Sequence, residues 1–395
     1  MTKTSKKISP STKPDTKVVH ASVNPLEHEG MANIPVYHTS TIMKPNLDDY
    51  RQGRGKYDYG RKGTPTSQAT EEAVASLYKM DDCVATPSGL SAICLGISSV
   101  LKSGDHALFP DSMYGSGRRF IDNVLPQMGI SVGIYDPSIT ADELAAHFQD
   151  NTRLFYLESP GSLTFEMQDI PALTTCAHDH DCLVAIDNTW ATAMYFDAVK
   201  NDMDIVIEAG TKYISGHSDV SMGFVISSGD TAHTIRRYTQ NTGICVAPDE
   251  HYLAMRGMRT MALRLRQSEA NGLALATWLE QQPEVIQVLH PALPSHPGHH
   301  HWQRDFSGSS GLFGFVIDPN IPIMAIDSMA DNLDWFGIGA SWGGHESLIS
   351  QGRFKRTVSS IPEGTLMRIY AGLEDKDDLI ADLQAGFERM RGANK

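Results

Sequence analysis

Beyond about Thr66, short apolar runs of strand length alternate with stretches whose apolar residues recur every three or four positions. The first such stretch sets Ala69, Ala73 and Leu77 on one face, at i, i+4 and i+8, as a helix packed on a core requires. CVAT then follows as a strand and SGLSAICLGISSVL as a buried helix. HALFP, SVGIYD, RLFYLES, CLVAID, DIVIEAGT and GFVIS form further strands, most of them separated by helical stretches. This alternation predicts an α/β domain built on a largely parallel sheet. A long helical pattern over DEHYLAMRGMRTMALRLRQSEANGLALATWLEQQ breaks at Pro283. Beyond it, VIQVLH, LFGFVID and TLMRIYAG predict strands of a smaller α+β unit, and Leu379, Leu383, Phe387 and Met390 share one face of a last helix. Glu374, Asp375, Asp377 and Asp378 crowd the start of that helix, where its dipole favours negative charge.

Composition narrows the function classes. The 395 residues are 41% hydrophobic and 20% charged, ordinary for a globular enzyme, and a net charge of −14 argues against broad nucleic-acid binding. No segment approaches the roughly 18 apolar residues of a membrane span. The basic tail TKTSKKISPSTKPDTK has neither an apolar centre nor an arginine, so a solvated, flexible N-terminus is expected in place of a targeting signal, in a cytoplasmic protein. Five cysteines without C-x-x-C spacing signal neither a disulfide framework nor a zinc site, and buried thiols are expected. HPGHHHW gathers His296, His299, His300 and His301 among Pro and Gly, without helical His spacing. A surface loop is the expectation there, with no metal.

The chemistry gathers where strands end, the place open α/β sheets keep their sites. After CVAT, Ser88 and Gly89 open a helix whose free N–H groups suit a phosphate, although a Ser-Gly start is commonly just a cap. After HALFP, Tyr114 lies on a Gly-rich loop, able to stack on a flat heterocycle or to be an ordinary loop aromatic. Asp187 ends CLVAI, as a cap or as the partner of a cationic ring nitrogen. Thr211 and Lys212 end the charge-poor run DIVIEAG, and a buried amine is costly unless neutralised or used. Pyridoxal phosphate explains all four at once, since it needs a lysine for its aldehyde, a carboxylate for its ring nitrogen, a phosphate cup and an aromatic cover.

The motifs YGRKGTPT, LESPGSLTFEMQDIPA, AIDNTWAT, GTKYISGHSD, RGMRTMALRLRQ, HPALP, RDFSGSSGLFGFV, SWGGHESLI and GTLMRIYAGLEDKDDLIADL cover nearly the whole chain beyond the tail. With them the sequence resembles the Cys/Met-metabolism family of pyridoxal-phosphate enzymes. The resemblance implies the aspartate-aminotransferase-like fold (fold type I): a tail and intersubunit arm over 1–60, a large cofactor-binding domain over 61–255 and a C-terminal α+β domain over 256–395. It implies that Lys212 holds the cofactor aldehyde and serves as acid–base, that Asp187 pairs with the ring nitrogen, and that Tyr114 stacks on the ring. It further implies that Gly89, Leu90 and Thr211 cup the phosphate, and that Tyr59 and Arg61 reach the cofactor of a neighbouring subunit, in a homotetramer of active-site-sharing dimers. Tyr59 and Tyr114 are also candidates to assist proton handling. Arg368, helped by Ser341, would clasp an amino-acid carboxylate.

The chain departs from many relatives at Ala209, where they carry serine, and at Ser162, where they carry asparagine. DSMYGSG also lacks the cysteine that marks methionine γ-lyases after Tyr114, and Trp342 in SWGG marks the β-lyase branch. The implied activity is that of a carbon–sulfur lyase, β-elimination of L-cystathionine to homocysteine, pyruvate and ammonia in methionine biosynthesis. The alternatives are a broad cysteine-S-conjugate β-lyase or cysteine desulfhydrase, a γ-synthase or γ-lyase on the same fold, and a cofactor-binding regulator without catalysis.

Overall fold

The computed structural model describes residues 12–20 and 23–393. Two sheets organise the chain. The first has seven strands: β1 (Asp82–Thr86), β2 (His106–Pro110), β3 (Ser131–Tyr135), β4 (Thr152–Glu158), β5 (Leu183–Asp187), β6 (Ile205–Glu208) and β7 (Gly223–Ser227). Their spatial order is β1-β7-β6-β5-β4-β2-β3. All pairings from β6 to β3 are parallel, while β7 runs antiparallel to both β6 and β1. Helices cover both faces, so the interior strands are apolar on both sides: Leu154, Phe155, Tyr156 and Leu157 of β4 are all fully buried. Burial of each such side chain contributes roughly 1.5–3 kcal/mol.

The second sheet has five strands: β8 (Val285–Leu289), β9 (Leu312–Ile317), β10 (Phe336–Ile338), β11 (Ser347–Gln351) and β12 (Thr365–Tyr370), in the order β10-β11-β12-β9-β8. The last helix, Lys376–Ala393, closes its core with Leu379, Leu383, Phe387 and Met390, all fully buried as their spacing predicts.

Several local expectations are corrected. The long helical pattern is two helices, Pro248–Met258 and Met261–Leu279, broken at Arg259 and Thr260. The break comes where Thr260 and Arg264 both bond the Gly257 carbonyl, and Gly257 packs so closely on Ser215 that no side chain fits. β10 and β11 escaped the sequence pattern because they are short, and β11 (SLISQ) mixes polar residues with apolar ones in its half-buried setting. The distal part of the basic tail is a helix, Pro14–His20, with Val18 buried against the core and Asp15 paired to Arg266 at 2.9 Å. The rest of the tail, residues 2–11, lies outside the described residues.

The histidine segment is not a plain surface loop. His299–Asp305 is a short helix, and His296 is buried with its Nδ1 accepting the Gly298 N–H at 3.0 Å. Burial pushes His296 down to about 4, so it is a neutral backbone cap. Among the described residues no His, Cys, Asp and Glu cluster could hold a metal ion, and no helix is long and apolar enough to cross a membrane. Cys83 and Cys182 are buried as expected, whereas Cys245 is exposed. Glu374 does not serve the last helix: its carboxylate binds the Ser347 N–H and hydroxyl, tying the chain after β12 to β11.

Candidate active site

The carboxyl ends of β4, β5 and β6 open into a cavity of about 1160 Å³ whose far wall comes from the second sheet. β6 stops at Glu208, so Lys212 sits not at a strand end but in the turn beyond it. That turn is closed by backbone bonds from Lys212 to Ala209 (3.0 Å) and from Gly216 to Lys212 (2.8 Å). Arg264 reaches up from its helix and donates to the Tyr213 carbonyl at 2.8 Å, fixing the chain just after the lysine. From the other side Gly343, at φ +81°, lies against the Lys212 backbone, and an added Cβ would come within 3.0 Å of the lysine Cα. The glycine of SWGG is thus what lets the second sheet's loop approach the lysine.

The Lys212 amine bonds the Ser341 hydroxyl at 2.6 Å and lies 5.2 Å from the centre of the Trp342 ring. Burial beside the cavity, reinforced by the Arg368 guanidinium, pushes the amine down to about 8, against a smaller opposing pull from Asp187. A neutral amine is therefore accessible near physiological pH, as a nucleophile requires. In the cofactor-free protein, the rate of Lys212 acylation, followed by peptide mass spectrometry, should rise through about pH 8 and then level. Below that midpoint it falls about tenfold per pH unit, as the neutral fraction of the amine does. Ordinary surface lysines keep rising toward their reference value near 10.4. A Lys212 midpoint no lower than theirs would remove this account of its activation.

Asp187 ends β5 with one carboxylate oxygen, Oδ1, held by the Thr189 N–H (3.0 Å) and hydroxyl (2.6 Å). Burial raises its pKa against those bonds and against the Lys212 charge, the setting of a carboxylate that lacks its cation. Glu158, opposite it in register at the end of β4, also faces the cavity and accepts the Tyr114 N–H at 2.8 Å. Burial, then the nearby Asp187 charge, push Glu158 well above the usual carboxylate range.

Tyr114, half-exposed, stands at the start of the helix Gly115–Asn123 on the cavity wall. Gly89 and Leu90 begin the helix Gly89–Ser98, capped by Ser88, with first-turn N–H groups that have no partner within the helix. An added Cβ on Gly89 would meet the Ala209 Cβ at 2.7 Å, so these two small residues hold the cradle open for an anion. Thr211 lines the cavity, but its hydroxyl and its N–H both donate to the Met222 carbonyl, at 3.0 Å each, leaving no donor for a phosphate. Ser88, the helix start read from the sequence, lines the same wall, as does Ser221, which was missed because a single serine carries no periodic signal.

Arg368 comes from β12 and donates to the carbonyls of Gly339 (3.1 Å) and Ser341 (3.2 Å), and the rest of its fork faces the cavity. Tyr59 and Arg61 are not brought to this cavity. Both are exposed, and Arg61 donates to the Gln240 carbonyl at 2.9 Å. A strap over residues 352–359, unforeseen in sequence, crosses from the second sheet to the mouth of the cavity. It is pinned by the buried Asp111 carboxylate, which accepts the N–H groups of Thr357, Val358 and Ser359 at 2.7–2.9 Å.

A cradle of free N–H groups, a half-engaged carboxylate and a depressed lysine amine around one cavity fit pyridoxal phosphate. A family model described as Cys/Met metabolism PLP-dependent enzyme matches residues 15–388. A protein of Rhizobium johnstonii is 43% identical over 94% of this chain and 95% of its own length. The cystathionine beta-lyase of Escherichia coli is 36% identical over 95% of this chain and 98% of its own. The solved structure of metB from Corynebacterium glutamicum superposes with a TM-score of 0.90 at 28% identity, covering 97% of this chain and 100% of that one.

Proposed function

The chain belongs to the Cys/Met-metabolism family of PLP-dependent enzymes, and on that premise we propose that it is a carbon–sulfur lyase that cleaves L-cystathionine by β-elimination. The observation that carries the reading is the contact of the depressed Lys212 amine with Ser341 and Trp342, the loop that marks the β-lyase branch. The relatives named cystathionine beta-lyase support it over nearly their whole length.

When bound, pyridoxal phosphate supplies an electron sink for the substrate's Cα. Lys212 would hold its aldehyde, Asp187 its ring nitrogen, Tyr114 the ring face, and the Gly89 and Leu90 N–H groups its phosphate. Arg368 binds the substrate carboxylate through its fork and so sets the Cα–H toward Lys212. Lys212 takes that proton at Nζ and returns one to the departing sulfur as the Cβ–S bond breaks. The sulfur leaves with homocysteine, and the three-carbon fragment yields pyruvate and ammonia after hydrolysis. Trp342, edge-on to Tyr213 at 5.5 Å, forms an apolar wall beside the amine.

Tyr59 and Arg61, outside this chain's cavity, would serve the cofactor phosphate of a neighbouring subunit, within a tetramer of active-site-sharing dimers. The cytoplasm suits a chain whose five cysteines are all free. Product analysis tests the reaction. Purified holoenzyme on L-cystathionine should release pyruvate and homocysteine in equal amounts. Predominant 2-oxobutyrate and cysteine would instead establish γ-elimination and overturn the assignment.

A further inference from the structure

We propose that Arg119 and Arg353 form an anion-recognising subsite at the mouth of the cavity, which favours thioether substrates whose far end carries a carboxylate. The inference rests on the cysteine-thioether reading above and specifies which thioethers the site prefers.

Arg119 and Arg353, both exposed, line the same cavity as Lys212 and Arg368, yet they come from different halves of the fold. Arg119 lies on the helix Gly115–Asn123 beside the first sheet, and Arg353 on the strap that leaves β11 of the second. Apart from Lys212 and Arg368, the other basic residues lining the cavity each have an acid nearby. Arg118 pairs with Asp111 at 2.8 Å and Asp122 at 3.0 Å, Arg356 lies 3.6 Å from Glu166, and Lys355 lies 3.9 Å from Asp122. Among the described residues, Arg119 has only the neutral Ser116 hydroxyl, at 2.8 Å, and Arg353 has no acidic partner. In a chain of 47 acids and net charge −14, two cations beside a cavity and without an acid are placed to meet a ligand's negative charge.

The strap is also held in place. Asp111 fixes Thr357–Ser359, and Arg356 donates to the Asp111 carbonyl at 2.7 Å, so Arg353 extends from an anchored backbone. The volume of about 1160 Å³ exceeds the roughly 300–1,000 Å³ of most small-molecule sites. With the α-carboxylate on Arg368 and Cα at Lys212, the thioether tail has room to run outward to this rim. A carboxylate there would meet a guanidinium able to bond it in bidentate fashion, with a second cation lining the same cavity.

The test compares three cysteine thioethers of similar size in the holoenzyme: S-carboxymethyl-L-cysteine, S-(2-aminoethyl)-L-cysteine and S-ethyl-L-cysteine as the neutral reference. Pyruvate release gives kcat/KM, and calorimetry gives Kd. The native protein should prefer the carboxymethyl over the aminoethyl compound by about tenfold or more in both quantities, and added salt should erode the preference. Arg119→Gln with Arg353→Gln should reduce the ratio to about two, and Arg119→Glu with Arg353→Glu should invert it. Pyruvate from all three compounds without charge preference overturns the subsite and leaves β-elimination standing. No pyruvate from any, with the calorimetric order retained, overturns the reaction and supports the subsite. Loss of the calorimetric order, or its persistence in both double variants, overturns the subsite.

Discussion

Lys212→Ala is expected to lower turnover of L-cystathionine by at least about 10⁴-fold, because in the proposed roles one amine would both anchor the cofactor and move the proton, and proton transfer alone contributes roughly 10²–10⁴-fold. The substitution disturbs little else. Among the described residues the amine bonds only Ser341, and the turn around it is held by backbone bonds and by Arg264, none of which needs the side chain. The melting temperature should therefore stay within a few degrees, about 1 kcal/mol or less for a chain of this size. Borohydride reduction of the native holoenzyme should add the cofactor's mass to the Lys212 peptide and to no other, and the alanine variant should gain no such mass. Lys212→Arg should fail equally, since a guanidinium stays protonated where the lysine is near half neutral at about pH 8. Native turnover in either variant, or reductive labelling at another lysine, would mean that the cofactor lysine has been misplaced.

How much of this was legible in the sequence differs by feature. The interior parallel strands of the first sheet were readable because both their faces are buried, which forces an apolar run such as LFYL that solvent would not select. β11 was not, because a half-buried strand of serine, isoleucine and glutamine is specified by its neighbours and not by its own pattern. The same division holds at the site. Asp187, Gly89 and Tyr114 sit at a strand end or at helix starts, and Lys212 in the turn just beyond β6, places the pattern locates, and the cavity brings them together. Thr211 lay beside Lys212 in sequence, yet its hydroxyl turned to Met222, eleven residues on, a pairing local reasoning does not reach. Glu158 was inside a quoted motif but carried no sign of its role until register set it against Asp187. Arg353 and Arg119 are 234 positions apart, and the strap held by Asp111 brings Arg353 to the cavity that Arg119 also lines.

Asp187→Asn should lower kcat by roughly 10³-fold, while Glu158→Gln should lose less than about tenfold, although both residues are cavity-facing carboxylates on adjacent strands. Two carboxylates in register cannot both stay ionised cheaply, so the proton goes where the anion is least supported. Asp187 has two hydrogen bonds from Thr189 and the pull of Lys212 to offset its burial. Glu158 is more deeply buried, has the single Tyr114 N–H, and feels the Asp187 charge besides. The sign follows: burial and the Asp187 charge both favour the protonated form of Glu158, and glutamine reproduces that form's charge and shape and keeps an acceptor for Tyr114. Asparagine at 187 instead removes the negative charge that, in the proposed role, would face the cofactor's ring nitrogen. At about 4 Å and an effective dielectric near 20 that charge contributes roughly 4 kcal/mol, or about 10³ in rate. Rapid-quench measurement of pyruvate in both variants decides the matter, with cofactor content checked by phosphate analysis so that lost binding is not mistaken for lost chemistry. If Glu158→Gln is the more damaging, the ionised carboxylate of the pair is Glu158, and Asp187 is the neutral one.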